Sequence, residues 1–135
     1  MNSMINSMLS NASVAPTIPV TDLARARAFY EGKLGLTVVE EHTGGISFKV
    51  GDNTQLYIYK RGPSKADHTL AAFRVDDVEA VVDELTAKGI VFEQYDFPGL
   101  KTDEKGIAVM ESEGEKGAWF KDPDGNILAV GESLK

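Results

Sequence analysis

Few residues in this 135-residue chain could do chemistry by themselves. There is no cysteine, which removes disulfides, thiol nucleophiles and cysteine-bound zinc. The imidazoles are His42 and His68 alone. His42 sits in Glu40-Glu41-His42-Thr43-Gly44 and reads as an exposed turn residue. His68 opens the run His68-Thr69-Leu70-Ala71-Ala72-Phe73. It is a pocket hydrogen bonder, a general base, or a solvated residue following Ala66-Asp67. The carboxylates of Glu111-Ser112-Glu113-Gly114-Glu115 cluster on an expected turn, where a solvated charged loop explains them better than a cation site. No phosphate loop, dinucleotide fingerprint, serine elbow or H-E-x-x-H zinc motif occurs.

The elements that must hold these residues are written twice. Val20-Thr21-Asp22-Leu23 recurs 55 residues later as Val75-Asp76-Asp77-Val78. Each copy follows a short apolar strand and opens an amphipathic helix. Leu23, Ala26, Phe29, Tyr30 and Leu34 make the first apolar stripe; Val78, Val81, Val82 and Leu85 make the second. Thr21 or Asp22, and Asp76 or Asp77, are placed to cap the helices, and Gly35 and Gly89 to stop them. Strands are expected at Leu36–Glu41, Gly45–Val50 and Thr54–Lys60, then at Ile90–Gln94, Gly117–Lys121 and Asn126–Val130. A short strand is expected within Gly106–Met110. Each half thus reads β-α-β-β-β. A βαβββ unit leaves one sheet face uncovered, so two units should associate; a ferredoxin-like βαββαβ domain is the alternative.

The chain divides into a tail (1–13), a first module (14–60), a linker (61–67) carrying Gly62-Pro63-Ser64, and a second module (68–135). The tail lacks a basic start and a continuous apolar run, so it is not expected to be a signal peptide. No stretch reaches the length of a membrane span. A net charge of −7 disfavours nucleic acid and anionic membranes as partners, because binding phosphate needs clustered cations. The expected location is the cytoplasm.

Three segments in order carry a resemblance. They are Ile18-Pro19-Val20-Thr21-Asp22-Leu23 with Ala28-Phe29-Tyr30 and Lys33-Leu34-Gly35-Leu36; then Phe73-Arg74-Val75-Asp76-Asp77-Val78 with Leu85, Lys88 and Gly89; then Trp119-Phe120-Lys121-Asp122-Pro123-Asp124-Gly125-Asn126. Together they resemble the vicinal-oxygen-chelate superfamily: glyoxalase I, bleomycin-resistance proteins and extradiol dioxygenases. The resemblance implies an α+β fold of two βαβββ modules forming a cupped, barrel-like mixed sheet with helices outside. It also implies a homodimer, with modules exchanged between chains or side by side. Metal-using members place ligands on the cup face of four strands. The matching positions here are Ala15, Tyr57, Leu70 and Ala129, so no metal and no cofactor are expected.

Strand alternation, set by those positions, turns particular residues into the cup. Thr17, Tyr57, Tyr59 and His68 face it. A three-residue turn after Asp122 opposes Trp119 to Ala129 and adds Trp119 to the lining, with Phe120 and Leu128 on the helix side. The stretch 95–116 reads as a lid whose Phe97, Leu100 and Met110 close over a ligand, or as an excursion covering a sheet edge. The expected function is metal-free binding of an aromatic or hydrophobic small molecule, as in antibiotic resistance by sequestration. The alternatives are a lyase or dioxygenase-like enzyme, and a structural partner whose aromatics fill the cup themselves.

Overall fold

The computed structural model describes residues 8–134. Of the expected N-terminal tail, residues 1–7 lie outside the described residues, and Met8–Asn11 forms one 3-10 turn. The first module contains β1 (Thr17–Val20), α1 (Leu23–Arg27), β2 (Thr37–His42), β3 (Gly45–Val50) and β4 (Thr54–Lys60). Its sheet has the order β1-β4-β3-β2, with β1 parallel to β4 and the other pairs antiparallel. The second module contains β5 (Thr69–Arg74), α2 (Val78–Ala87), a small hairpin of β6 (Asp96–Phe97) and β7 (Leu100–Lys101), then β8 (Ile107–Met110), β9 (Glu115–Lys121) and β10 (Ile127–Ser133). Its sheet repeats the pattern as β5-β10-β9-β8. The duplication holds at the level of single rungs: Thr17 pairs with Tyr57, and at the matching rung Ala72 pairs with Ala129.

Local chemistry explains the helix ends. The Asp22 carboxylate accepts from the Arg25 amide at 3.0 Å, and Asp77 accepts from the Ala80 amide at 3.1 Å, each satisfying an amide that the first helical turn leaves unpaired. Gly35 and Gly89 sit at φ +74° and +93° where the helices stop. The first helix departs from expectation in its second half. Beyond Arg27 it widens into π-helical turns over Ala28–Lys33, with the Leu34 amide reaching back five residues to the Phe29 carbonyl.

A second correction concerns Ile90–Gln94. It is not a sheet strand: only Phe92 forms a bridge, to Phe120, while the edge position beside the first half of β9 is taken by β8. The outer side of β9 is therefore shared. Residues 107–110 pair with its start, and Phe92 with the Glu93 amide meets its end, the latter donating to the Trp119 carbonyl at 2.8 Å. The two pieces come close at Gly106, where a Cβ would stand 2.8 Å from that of Phe92. No periodicity signals an edge divided in this way.

Alternation sends Ile18, Val20, Ile46, Phe48, Leu56 and Ile58 of the first sheet into the same buried cluster as Ala118, Phe120, Leu128 and Val130 of the second. Ala26, Phe29, Tyr30, Val78, Val82 and Leu85 from the helical segments complete it. Each large side chain there contributes about 1.5–3 kcal/mol of burial. The two sheets share no ladder and the structure remains open rather than closed into a barrel. No described helix is long and apolar enough to cross a membrane.

Besides this shared core, the modules face each other at two turns related by the repeat. At the first, the turn between β9 and β10 seats on the first module. The Tyr30 hydroxyl donates to buried Asp122 at 2.7 Å, and the Asn126 amide donates to the Pro19 carbonyl at 2.8 Å. Asp124 accepts from the Thr21 hydroxyl at 2.7 Å and from Arg25 at 3.0 Å. At the second, the turn between β3 and β4 faces β5. Val50 stands in place of Asp122 and Thr54 in place of Asn126. Among the described residues no hydrogen bond crosses there. A cleft of about 440 Å³ opens instead, lined by Val14, Pro16, Val50, Leu56, Phe73 and Val75 among others.

Candidate functional site

On the first sheet, the face turned away from the core presents Thr17, Tyr57 and Tyr59. Thr17 pairs with Tyr57, and Gly45 with Tyr59. A Cβ on Gly45 would collide with the Tyr57 hydroxyl and ring carbon and with the Ile58 carbonyl oxygen, so only glycine lets the Tyr57 ring lie over β3. The Tyr57 and Tyr59 rings are nearly parallel, 9° apart at 6.5 Å. The His42 ring approaches Tyr57 at 6.0 Å, with Nε2 3.4 Å from the phenol oxygen. The result is a shelf of three half-open or exposed rings, each with a polar edge.

On the second sheet Trp119 opposes Ala129, as the three-residue turn requires, and Phe120 opposes Leu128 on the buried side. Tyr95 meets Trp119 edge-on at 5.6 Å and lies against Phe97 at 5.7 Å. The hairpin that carries Tyr95 and Phe97 is held by buried Thr102, whose hydroxyl oxygen accepts from the Tyr95 amide at 2.9 Å. The Thr102 amide donates to the Tyr95 carbonyl at 3.0 Å. Burial, then the nearby charge of Glu93, pushes the Tyr95 phenol above its ordinary range, which keeps it neutral. Leu100 pairs with Phe97 in this hairpin. Met110 ends β8, its methyl group beside the bare backbone of Gly117.

The structure thus gathers Thr17, Tyr57 and Tyr59 on one sheet, and Trp119, Phe97 and Leu100 about the other. Among the described residues no ring contact joins the two groups. His68 belongs to neither: it is well exposed, 3.7 Å from Asp67 at the start of β5. Two contributors lie outside the residues expected to line the cup. In place of the exposed turn expected around His42, β2 extends to it and a register shift between Val38 and Glu40 brings it onto the Tyr57 face. Tyr95 lies just before β6, within the expected 95–116 stretch, and meets Trp119 where the Glu93 amide joins the end of β9.

The four places matching the family's ligand positions offer no cation site. Ala15, Leu70 and Ala129 have no donor atom, and the Tyr57 phenol is directed at His42. Among the described residues no group of three or more His, Asp or Glu side chains converges as a metal site. The donor set does not fit a divalent ion there.

A sequence profile of the glyoxalase/bleomycin resistance protein/dioxygenase superfamily matches residues 12–130. The chain belongs to that superfamily. Solved members of similar shape include a glyoxalase family protein from Enterococcus faecalis, 24% identical, covering 93% of this chain and 100% of its own, at a TM-score of 0.69. An antibiotic binding protein from a Streptomyces species is 21% identical over 90% of this chain and 97% of its own, at 0.64. A lactoylglutathione lyase from Agrobacterium tumefaciens is 24% identical over 90% and 92%, at 0.65. At these identities the likeness to the three structures is one of fold alone. No curated protein matches the chain.

Proposed function

We propose that this chain is a metal-independent binder of flat aromatic or largely apolar small molecules. The observation that carries the reading is a substitution of chemistry at one place. Where chelating members would hold an ion, three positions are hydrocarbon and the fourth is a phenol on an aromatic shelf. Rings left partly uncovered on both sheets suit stacking against a planar ligand, with Thr17, His42 and Tyr57 as polar handles. A net charge of −7 favours neutral or cationic ligands over anions. The fold is shared with an antibiotic binding protein and with a lyase, and the donor chemistry aligns this chain with binding. A homodimer, which would set the shelf of one chain against the Trp119 cluster of another, and a cytoplasmic location complete the proposal.

Calorimetric titration with planar aromatic compounds tests it. Saturable binding is expected, weakened about tenfold or more by Tyr57→Ala or Trp119→Ala, since each stacked ring is worth about 0.5–1.5 kcal/mol beyond its area. Trp119 is the single tryptophan, so its fluorescence offers a second readout. Absence of saturable binding across such compounds, or stoichiometric metal on protein purified without chelator, would overturn the reading.

A further inference from the structure

We propose that Arg74, held by Glu115, sets specificity on the Trp119 side of the site, selecting planar ligands that carry an uncharged acceptor oxygen such as a ring carbonyl. The inference rests on the binding function proposed above and names a ligand class for it. The second sheet builds its outward face in rows. Ala72, Ala129 and Trp119 share one row, and Arg74, Gly131 and Gly117 share the next, about 7 Å along the strands. Ser133, Glu115 and Met110 make a third. Arg74 therefore starts on a row whose other members have no side chain. It crosses that bare backbone and donates from Nη1 to Glu115 Oε2 at 2.8 Å. The carboxylate leans back to meet it, with Oε1 3.7 Å from where a Cβ on Gly131 would stand. The ion pair thus lies over β10, one row from the tryptophan.

The two side chains are 65% and 36% exposed, and an ion pair so open to water adds little to stability. Its effect lies in what it offers a ligand stacked on Trp119. A guanidinium carries its donors in one rigid plane, and Glu115 takes one of them. The rest of the fork is within reach of an acceptor on the rim of the ligand. Charge decides which acceptor. A ligand carboxylate would compete with Glu115 for the same guanidinium, in a chain whose net charge is −7. A ligand ammonium would meet the Arg74 charge beside the carboxylate it seeks. A carbonyl oxygen meets neither obstacle, and a charged donor bonds it more strongly than a neutral one does. Glu115 is a positioning residue: it directs the fork and balances its charge.

Calorimetric titration of the full chain with bicyclic probes tests this. Chromone carries a ring carbonyl, naphthalene has a similar outline without one, and 2-naphthoate is a carboxylate. Arg74→Met keeps much of the apolar stem and should weaken chromone about tenfold while changing naphthalene by less than about twofold. Glu115→Gln should raise the affinity for 2-naphthoate about fivefold, and adding Arg74→Met should abolish that rise, which a merely structural ion pair would not produce. Equal effects of Arg74→Met on chromone and naphthalene, or no effect on either, would overturn the proposal and leave the binding function standing. So would unchanged 2-naphthoate binding in Glu115→Gln. Failure of the parent chain to bind any of these probes would overturn the proposal and count against the binding function as well.

Discussion

The two places where the modules meet solve one packing problem with opposite chemistry. At one, a buried carboxylate is saturated. Asp122 accepts from the Tyr30 hydroxyl, from the Asn126 side chain at 2.8 Å, and from the amides of Asp124 and Asn126 at 2.9 Å each. At the other, the matching residue is Val50 and the space beside it is a cleft. A duplicated fold does not oblige its two junctions to be equivalent. A saturated polar network specifies one geometry, whereas an apolar junction accepts whatever fills it.

Breaking the polar junction should cost most. Asp122→Ala leaves four donors without their acceptor, and a loss of about 3 kcal/mol or more is expected in urea unfolding. Tyr30→Phe removes one of those bonds and should cost about 1–1.5 kcal/mol. Tyr30 also gives the junction a pH signature. Burial first, then the charge of Asp122, pushes its phenol far above the ordinary tyrosine range. The unfolded chain gives up that proton near pH 10, while the folded one keeps it. Tyr30 therefore contributes its full stabilisation below about pH 10, and the contribution falls as pH rises beyond that. Urea midpoints measured at pH 9 and pH 11 should converge more in Tyr30→Phe than in the parent. On the apolar side, Val50→Ala should cost less than about 1 kcal/mol, because the cleft already leaves that side chain short of neighbours. Arg25→Ala trims the exposed rim of the polar junction and should stay within about 0.5 kcal/mol by the same assay. An Asp122→Ala variant no weaker than Val50→Ala would erase the distinction between the junctions.

Much of this architecture was legible from local pattern. The repeat, both caps, the terminating glycines and the three-residue turn placing Trp119 against Ala129 all rest on interactions within a few residues. The remainder depends on contacts distant in sequence. Asp122 looked like an ordinary turn residue, because its partner Tyr30 lies 92 residues away. The division of the β9 edge between Phe92 and β8 follows from close passage at Gly106. His42 reached the aromatic face only through a register shift that no alternation rule foretells. The aromatic residues themselves were readable from strand parity, but their gathering on two separate sheets was not.

The bare backbone at Gly45 limits what the shelf can become. The Tyr57 ring and the Ile58 carbonyl oxygen both occupy the volume where a side chain at 45 would stand, so position 45 is held to glycine by backbone as well as by the ring. Trading the tyrosine for something smaller would not by itself make room for a methyl group at 45, because the Ile58 carbonyl oxygen crowds the same volume. A tyrosine lying over this strand thus depends on the bare backbone beneath it, and its ring can stay open only while that backbone stays bare.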